Sequence, residues 1–241
     1  MLSTQPIPLN ERLIHALDVP TVEAAQARVE VLRESVWFYK MGLELFMAGG
    51  YFELIEWLRA RDKRVFVDLK FFDVPETVAR AVRQLQHRGI DFATVHGNDA
   101  MLAAAAAEKG DVRILAVTVL TSLDRGDLEA LGFAVDVEAL VLSRARRAVA
   151  LGCDGVIASG LEVARLRQEL GQGFLVVSPG IRPVENRLVD DQKRIVGVAE
   201  AFHKGADYIV VGRPIGKARD PKQAAEGIQK EIAAAFGGLL T

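Results

Sequence analysis

The chain has 241 residues, of which half are hydrophobic and 26% charged, and its formal net charge is -2 at pH 7. This composition is ordinary for a globular protein, and the small net charge excludes a whole-chain field that would attract nucleic acid. A single cysteine, Cys153, excludes an intramolecular disulfide and a cysteine zinc cluster. Because the start MLSTQPIPLNER has no apolar signal core and no stretch resembles a membrane span, we expect a cytoplasmic protein without a membrane partner.

Short apolar runs rich in β-branched residues alternate with longer amphipathic runs along the chain. The short runs predict strands at 13–18, 36–41, 64–69, 92–96, 113–119, 155–158, 174–178 and 208–212. The long runs predict helices at 22–34, 51–61, 75–88, 99–108, 137–151, 162–170, 197–204 and 221–236. The strand runs are almost continuously apolar, as expected of parallel strands covered by helices.

Eight strand–helix units in a chain of this length predict an α/β fold, a (β/α)₈ TIM barrel. No Pro- or Ser-rich linker and no shift in composition divides the chain, so we expect residues 1–241 to form a single domain. The alternative is a doubly wound open sheet. Its G-x-G-x-x-G fingerprint after the first strand is absent, because the chain reads LDVPTVEAA there.

Charged side chains end the first three predicted strands: Asp18 the first, Lys40 the second, and Asp68 and Lys70 the third. Barrel enzymes carry their chemistry at the carboxyl ends of the strands, and neighbouring strands lie ~4.8 Å apart. These charges can therefore meet at one mouth, alternating in sign, which keeps the lysines protonated and the acids ionised. A structural ion-pair network at the rim is the alternative, although it does not explain why the charges gather on one side.

The segment VDLKFFDVPET continues from the third strand into a helix. The residue pattern by itself favours Asp73 as the N-cap of that helix, with Glu76 completing a capping box.

The opposite side of the mouth has a different character. The seventh strand runs into SPGIRP and the eighth into VVGRPI, so each is followed by a glycine and an arginine. Loops after strands seven and eight form the usual phosphate site of this fold, and Arg182 and Arg213 could bind phosphate oxygens. Alternatively, both arginines cap loop carbonyls at the surface. The polar segment 183–194 could close over a ligand as a lid.

The remaining polar residues point less clearly to a function. Four scattered histidines without an H-x-x-x-H pair predict no histidine metal site. His96 ends the fourth predicted strand, and we interpret it as a structural, hydrogen-bonded histidine. Thr121 and Ser122 follow the fifth predicted strand and could hydrogen-bond a polar ligand or form a turn.

The motif Asp68-x-Lys70-x-x-Asp73-x-x-x-Thr77, with Asp18 and Lys40 upstream and SPGIRP and GRPI downstream, resembles the orotidine 5′-phosphate decarboxylase family. The resemblance runs from about Leu13 to the final helix. It implies a cofactor-independent carboxy-lyase of pyrimidine (UMP) biosynthesis that acts on a small-molecule nucleotide and uses no metal.

The resemblance also implies residue roles. Lys70 resembles the proton donor, Asp68 the carboxylate beside the substrate carboxylate, and Lys40 the residue that holds Asp68 and the ribose. Asp18 would bind a ribose hydroxyl, while Asp73 and Thr77 would reach the active site of a neighbouring subunit in a homodimer. The pyrimidine and phosphate contacts would come from Thr121 or Ser122 and from Arg182, Gln192, Gly212 and Arg213. Asp190 stands where many relatives have a glycine, and for Asp73 we favour this role over the cap.

Two other functions stay open. One is a magnesium-dependent sugar-phosphate decarboxylase or hexulose-phosphate synthase on a related barrel, which would place a carboxylate metal ligand near the second strand end, where this chain has Lys40. The other is a barrel that binds a nucleotide phosphate without catalysis.

Overall fold

The computed structural model describes residues 2–182 and 195–237. Eight parallel strands close into a barrel in sequence order, β1 to β8, with β8 pairing back onto β1. The strands are β1 Leu13–Ala16, β2 Phe38–Met41, β3 Arg64–Phe71, β4 Phe92–Val95, β5 Arg113–Val117, β6 Gly155–Ile157, β7 Leu175–Ser178 and β8 Tyr208–Val211. The predicted (β/α)₈ barrel is confirmed.

Helices follow the strands around the outside of the barrel. They are α1 Val22–Leu32, α2 Leu43–Ala48, α3 Tyr51–Arg59, α4 Pro75–Arg83, α5 Asp99–Ala107, α6 Arg125–Ala130, α7 Val137–Ala150, α8 Val163–Leu170, α9 Val198–His203, α10 Arg213–Gly216 and α11 Pro221–Phe236. No helix within residues 2–182 and 195–237 is long and apolar enough to cross a membrane.

Every predicted strand and helix is present, and the differences lie at the ends and in short helices. The first strand ends at Ala16 and α4 ends at Arg83, both earlier than predicted. The residue pattern did not predict α2, α6 and α10, which have four to six residues each. Helices of one turn or little more are too short for a 3.6-residue period to stand out from a loop.

Alternate side chains of each strand face opposite sides of the barrel wall, so there are two hydrophobic cores, one inside the barrel and one between the strands and the helices. On β1, Ile14 and Ala16 point into the barrel, whereas Leu13 points out towards the helices. Three aromatic rings meet inside the barrel: the centroid of Phe92 lies 5.0 Å from that of Phe38 and 5.2 Å from that of Tyr208. These rings fill the barrel below its carboxyl-terminal mouth, so a ligand can enter only from that end.

Candidate active site

A cavity of about 450 Å³ opens at the carboxyl-terminal mouth. Its size falls within the usual range for small-molecule sites. Apolar side chains that also belong to the barrel interior, among them Phe66 and Val210, form part of its lining. The predicted residues that line it are Asp18, Lys40, Asp68, Lys70, Thr121, Ser122, Arg182, Gly212 and Arg213.

The four charges from the first three strand ends form one connected cluster. Lys40 Nζ lies 3.6 Å from Asp18 Oδ1 and 3.1 Å from Asp68 Oδ2. Lys70 Nζ donates to the other oxygen of Asp68, Oδ1, at 2.9 Å. Each carboxylate oxygen of Asp68 therefore has its own ammonium partner. The predicted alternation of sign is present in this geometry.

Burial and neighbouring charges shift the pKa of Asp68 in opposite directions. Burial by itself favours the neutral acid, but the charges and hydrogen bonds of Lys40 and Lys70 outweigh it and hold the Asp68 pKa at about 2. Burial likewise disfavours a charged Lys40, and its two carboxylate partners overcome this and raise the Lys40 pKa. Asp68 and Lys40 are therefore both charged at neutral pH and carry these charges into the cavity.

Strand β3 is not regular where it carries Asp68 and Lys70. Val67 pairs with Ala93 and Phe71 with Val95, so three residues of β3 lie opposite the single residue Thr94 of β4. Lys70 has a φ of +49°, in the left-handed region that lysine rarely adopts. In a regular strand, residues two apart such as Asp68 and Lys70 share one face at a spacing of ~6.6 Å; here a bulge brings them together instead.

Thr94 is the residue that sequence analysis missed. Its hydroxyl is fully buried, accepts the backbone N–H of Lys70 at 2.9 Å, and donates to Asp68 Oδ1 at 2.9 Å. The available signal was a hydroxyl on the inward face of an otherwise apolar strand, next to the strand that carries the acid and the lysine. Buried polar groups in such positions require partners.

Asp73 and Thr77 do not line the cavity of their own chain; both are exposed. The predicted cap and capping box are wrong, because Val74 is the N-cap of α4 and no side chain caps the helix. Asp73 Oδ1 instead accepts the N–H of the next residue, Val74, at 2.6 Å. With Pro75 as the first residue of α4, the N-cap position falls on Val74, which leaves the carboxylate of Asp73 on the surface.

Arg182 and Arg213 line the cavity from the segments that follow β7 and β8. Arg182 follows β7 and is buried. Its backbone N–H donates to the carbonyl oxygen of Val196 at 3.0 Å, next to an isolated bridge between Ile181 and Val196. Gly212 is the N-cap of α10, and Arg213 is the first residue of that short helix. The side chains of Thr121 and Ser122 complete the rim after β5. Gln192 and the predicted lid, 183–194, lie outside the described residues.

His96 lines a second cavity, beside β4 and α5, and not the charged one. Its ring packs edge-on against Phe72, with centroids 5.6 Å apart. Among the residues that the structure describes, no group of three His, Cys, Asp or Glu side chains could hold a metal ion.

A closed parallel barrel with a charged cavity at the carboxyl ends of its strands defines a (β/α)₈-barrel enzyme. Residues 11–228 match the model of the orotidine 5′-phosphate decarboxylase / HUMPS family. The chain therefore belongs to this family.

Proteins with similar sequences match this chain over nearly its whole length. A protein of Methylococcus capsulatus named orotidine 5′-phosphate decarboxylase is 65% identical, covering 98% of this chain and 97% of the relative. One of Xanthomonas oryzae pv. oryzae with the same name is 53% identical, covering 98% of each chain. The crystal structure of orotidine 5′-phosphate decarboxylase from Lactobacillus acidophilus superposes with a TM-score of 0.81 at 36% identity, covering 92% of this chain and 99% of that one.

Proposed function

We propose that this chain decarboxylates orotidine 5′-phosphate to uridine 5′-phosphate in pyrimidine biosynthesis. The observation that carries the proposal is the chain of ion pairs Asp18–Lys40–Asp68–Lys70, which shares one cavity with Arg182 and Arg213. One side of that cavity suits a phosphate and the other suits a reaction in which negative charge develops.

The reaction breaks the bond between the pyrimidine ring and its carboxylate, and the electron pair stays on the ring carbon. Lys70 supplies the proton to that carbon, so its ammonium stabilises the charge as it develops and then removes it. Asp68 holds the ammonium of Lys70 at 2.9 Å, and the substrate carboxylate would bind beside it. Charge repulsion there would be relieved when carbon dioxide leaves.

Binding energy from the distant phosphate would hold the ring in place for this step. Arg182 and Arg213 contribute charge-assisted bonds to the phosphate, with the backbone at Gly212 beside them, and Gln192 is expected to join them. Lys40 and Asp18 bind the ribose hydroxyls, while Thr121 or Ser122 contacts the pyrimidine. No cofactor is needed for this scheme, because the protein's own cation stabilises the carbanion.

Lys40 disfavours a magnesium-dependent sugar-phosphate decarboxylase or synthase. Its ammonium lies between two carboxylates that could otherwise serve as metal ligands, at 3.6 Å and 3.1 Å. A cation in that position repels Mg²⁺. Activity that persists in the presence of a chelator would agree with this assignment.

A homodimer completes the proposed site. Asp73 and Thr77 are exposed at the start of α4 and would enter the cavity of a second copy. Phe72 and Val74, which flank Asp73, are 65% and 61% exposed. Large exposed apolar side chains of this kind are typical of a surface that another chain covers. We expect this dimer to act in the cytoplasm.

The decisive experiment is turnover of orotidine 5′-phosphate, followed by its change in ultraviolet absorbance, with and without a chelator. We expect turnover by the native chain and a loss of at least about 1,000-fold in Lys70→Ala, because this change removes both the proton and the cation. Uridine 5′-phosphate should still bind the variant. Near-normal turnover by Lys70→Ala would refute the proton donor, and no turnover by the native chain would refute the function.

A further inference from the structure

We infer that Thr94 is a positioning residue for the reaction: its hydroxyl holds both the backbone and the acidic partner of Lys70. The inference rests on the proposed function of Lys70 and Asp68 and adds a residue that does not line the cavity.

The first observation is the fit between the bulge and the hydroxyl. Three residues of β3 lie opposite Thr94, so regular pairing with β4 stops there and resumes when His96 N–H donates to Phe71 O at 3.0 Å. Within this gap the Lys70 N–H needs another acceptor, and Thr94 Oγ1 supplies one at 2.9 Å. The side chain of Thr94 therefore takes over a bond that the strand ladder would otherwise provide.

The second observation is the direction of the hydroxyl proton. Ionised Asp68 can only accept, so the contact of 2.9 Å between Thr94 Oγ1 and Asp68 Oδ1 uses the threonine proton. A lone pair of the same oxygen remains for the Lys70 N–H. One hydroxyl thus connects Lys70 to Asp68: it accepts from the backbone N–H of Lys70 and donates to the carboxylate of Asp68.

The third observation is burial. Thr94 is fully buried, so water cannot easily replace its hydroxyl. Lys70 has the disfavoured left-handed backbone conformation, with φ of +49°. Without the hydroxyl, the N–H of Lys70 would lose its partner and the bulge could relax, which would move the Lys70 ammonium relative to the substrate. A displacement of about 1 Å is enough to lower a rate by about 100-fold.

The test compares Thr94→Val, which keeps the branched shape but removes the hydroxyl, with Thr94→Ser, which keeps the hydroxyl. We expect Thr94→Val to lower kcat for orotidine 5′-phosphate by about 10- to 100-fold. The KM and the affinity for uridine 5′-phosphate should change less than about threefold, because Arg182 and Arg213 are untouched. Thr94→Ser should recover kcat to within about threefold of the native value.

Thr118→Val is the matched control. Thr118 is equally buried, and its hydroxyl donates to Ile157 O at 2.8 Å, away from Lys70 and Asp68. This control should lose comparable stability and keep its kcat. If Thr94→Val does not fold, Thr94→Ala against Thr94→Ser isolates the same hydroxyl.

An unchanged kcat in the variants without the hydroxyl, measured on a chain whose native form turns over, would overturn the inference and leave the proposed function standing. Equal losses of kcat in Thr94→Val and Thr118→Val would also overturn it, because the loss would then follow from removing any buried hydroxyl. A native chain without turnover would refute the proposed function instead.

Discussion

Asp68 has contacts on both carboxylate oxygens, which explains how a buried acid stays ionised. Oδ1 accepts from Lys70 and Thr94, and Oδ2 faces Lys40. With the pKa at about 2 in the folded protein and 3.8 as the ordinary value, this ionisation favours folding above about pH 4. The contribution disappears as the pH falls towards 2.

His15 shows the opposite response of a buried base. It points away from the barrel interior, and its Nδ1 lies 2.9 Å from the carbonyl oxygen of Val211, to which it can donate. Burial is the main cause that lowers the His15 pKa to about 4, and the bond to Val211 opposes it only in part. The folded protein therefore keeps His15 neutral at pH values where the unfolded chain is protonated.

We predict that the free energy of unfolding falls between pH 6.5 and pH 4 because of His15. The unfolded chain binds the additional proton in this window, so His15 makes stability rise with pH and its effect is complete above pH 6.5. The total is roughly 3.5 kcal/mol, at about 1.4 kcal/mol per pKa unit. Urea unfolding at several pH values should show a flatter profile for His15→Gln than for the native chain.

His203→Gln is the control for this measurement, since His203 is exposed at the end of α9. If the free energy of unfolding of His15→Gln depended on pH in the same way as that of the native chain, the acid sensitivity could not be assigned to His15.

At the scale of elements, the short helix α10 places Arg213 at the cavity directly after β8. We predict that Arg213→Ala raises the KM for orotidine 5′-phosphate by about 30- to 150-fold, equivalent to about 2–3 kcal/mol for a charge-assisted contact. The kcat/KM for orotidine, which lacks the phosphate, should change little.

Arg165→Ala offers a comparison for that variant, because Arg165 pairs with Glu138 on the outer surface at 3.3 Å. It should leave both substrates unaffected. Equal losses on both substrates in Arg213→Ala would point to a folding defect and contradict a phosphate role.

Strand β6 depends on a glycine where it approaches its neighbour. A Cβ on Gly155 would lie 2.4 Å from the backbone oxygen of Leu175 and 2.9 Å from Leu115 Cδ2. We predict that Gly155→Ala lowers the free energy of unfolding by about 1–3 kcal/mol, since the backbone of β7 would have to move. Chemical denaturation measures this loss directly.

Gly173→Ala provides the matched control, because a Cβ there has no neighbour within 4 Å and its φ is not in the left-handed region. Similar losses at both positions would mean that strand contact is not the cause.

At the scale of the whole molecule, we propose that residues 1–241 form a single domain and that two copies share their active sites. We predict that Lys70→Ala and Asp73→Asn, each inactive alone, regain activity when refolded together. Random pairing makes half of the dimers mixed, and each mixed dimer has one site with both residues intact. Turnover should therefore reach about one quarter of the native value.

A mixture of Lys70→Ala and Asp68→Asn is the control for complementation. Both of these side chains line the cavity of their own chain, so no mixed dimer contains an intact site and activity should not return. If the first mixture also stays inactive although mixed dimers are demonstrated, Asp73 serves its own chain.

The order of strands and helices, the barrel and the acids and lysines of the mouth could be predicted from the sequence alone. The physical reason is that these features depend on local periodicity and on chain order: apolar runs make strands, and parallel strands in a barrel bring Asp18, Lys40 and Asp68 to the same end. The arginines after β7 and β8 follow from the same rule.

Only the tertiary structure decided how these residues meet. The bulge opposite Thr94, the left-handed backbone of Lys70 and the buried hydroxyl between them depend on the register of β3 against β4. Asp73 is not the cap of α4, because Val74 occupies the N-cap position directly before Pro75. Register and burial arise from packing between segments distant in the chain, so a local residue pattern carries little information about them.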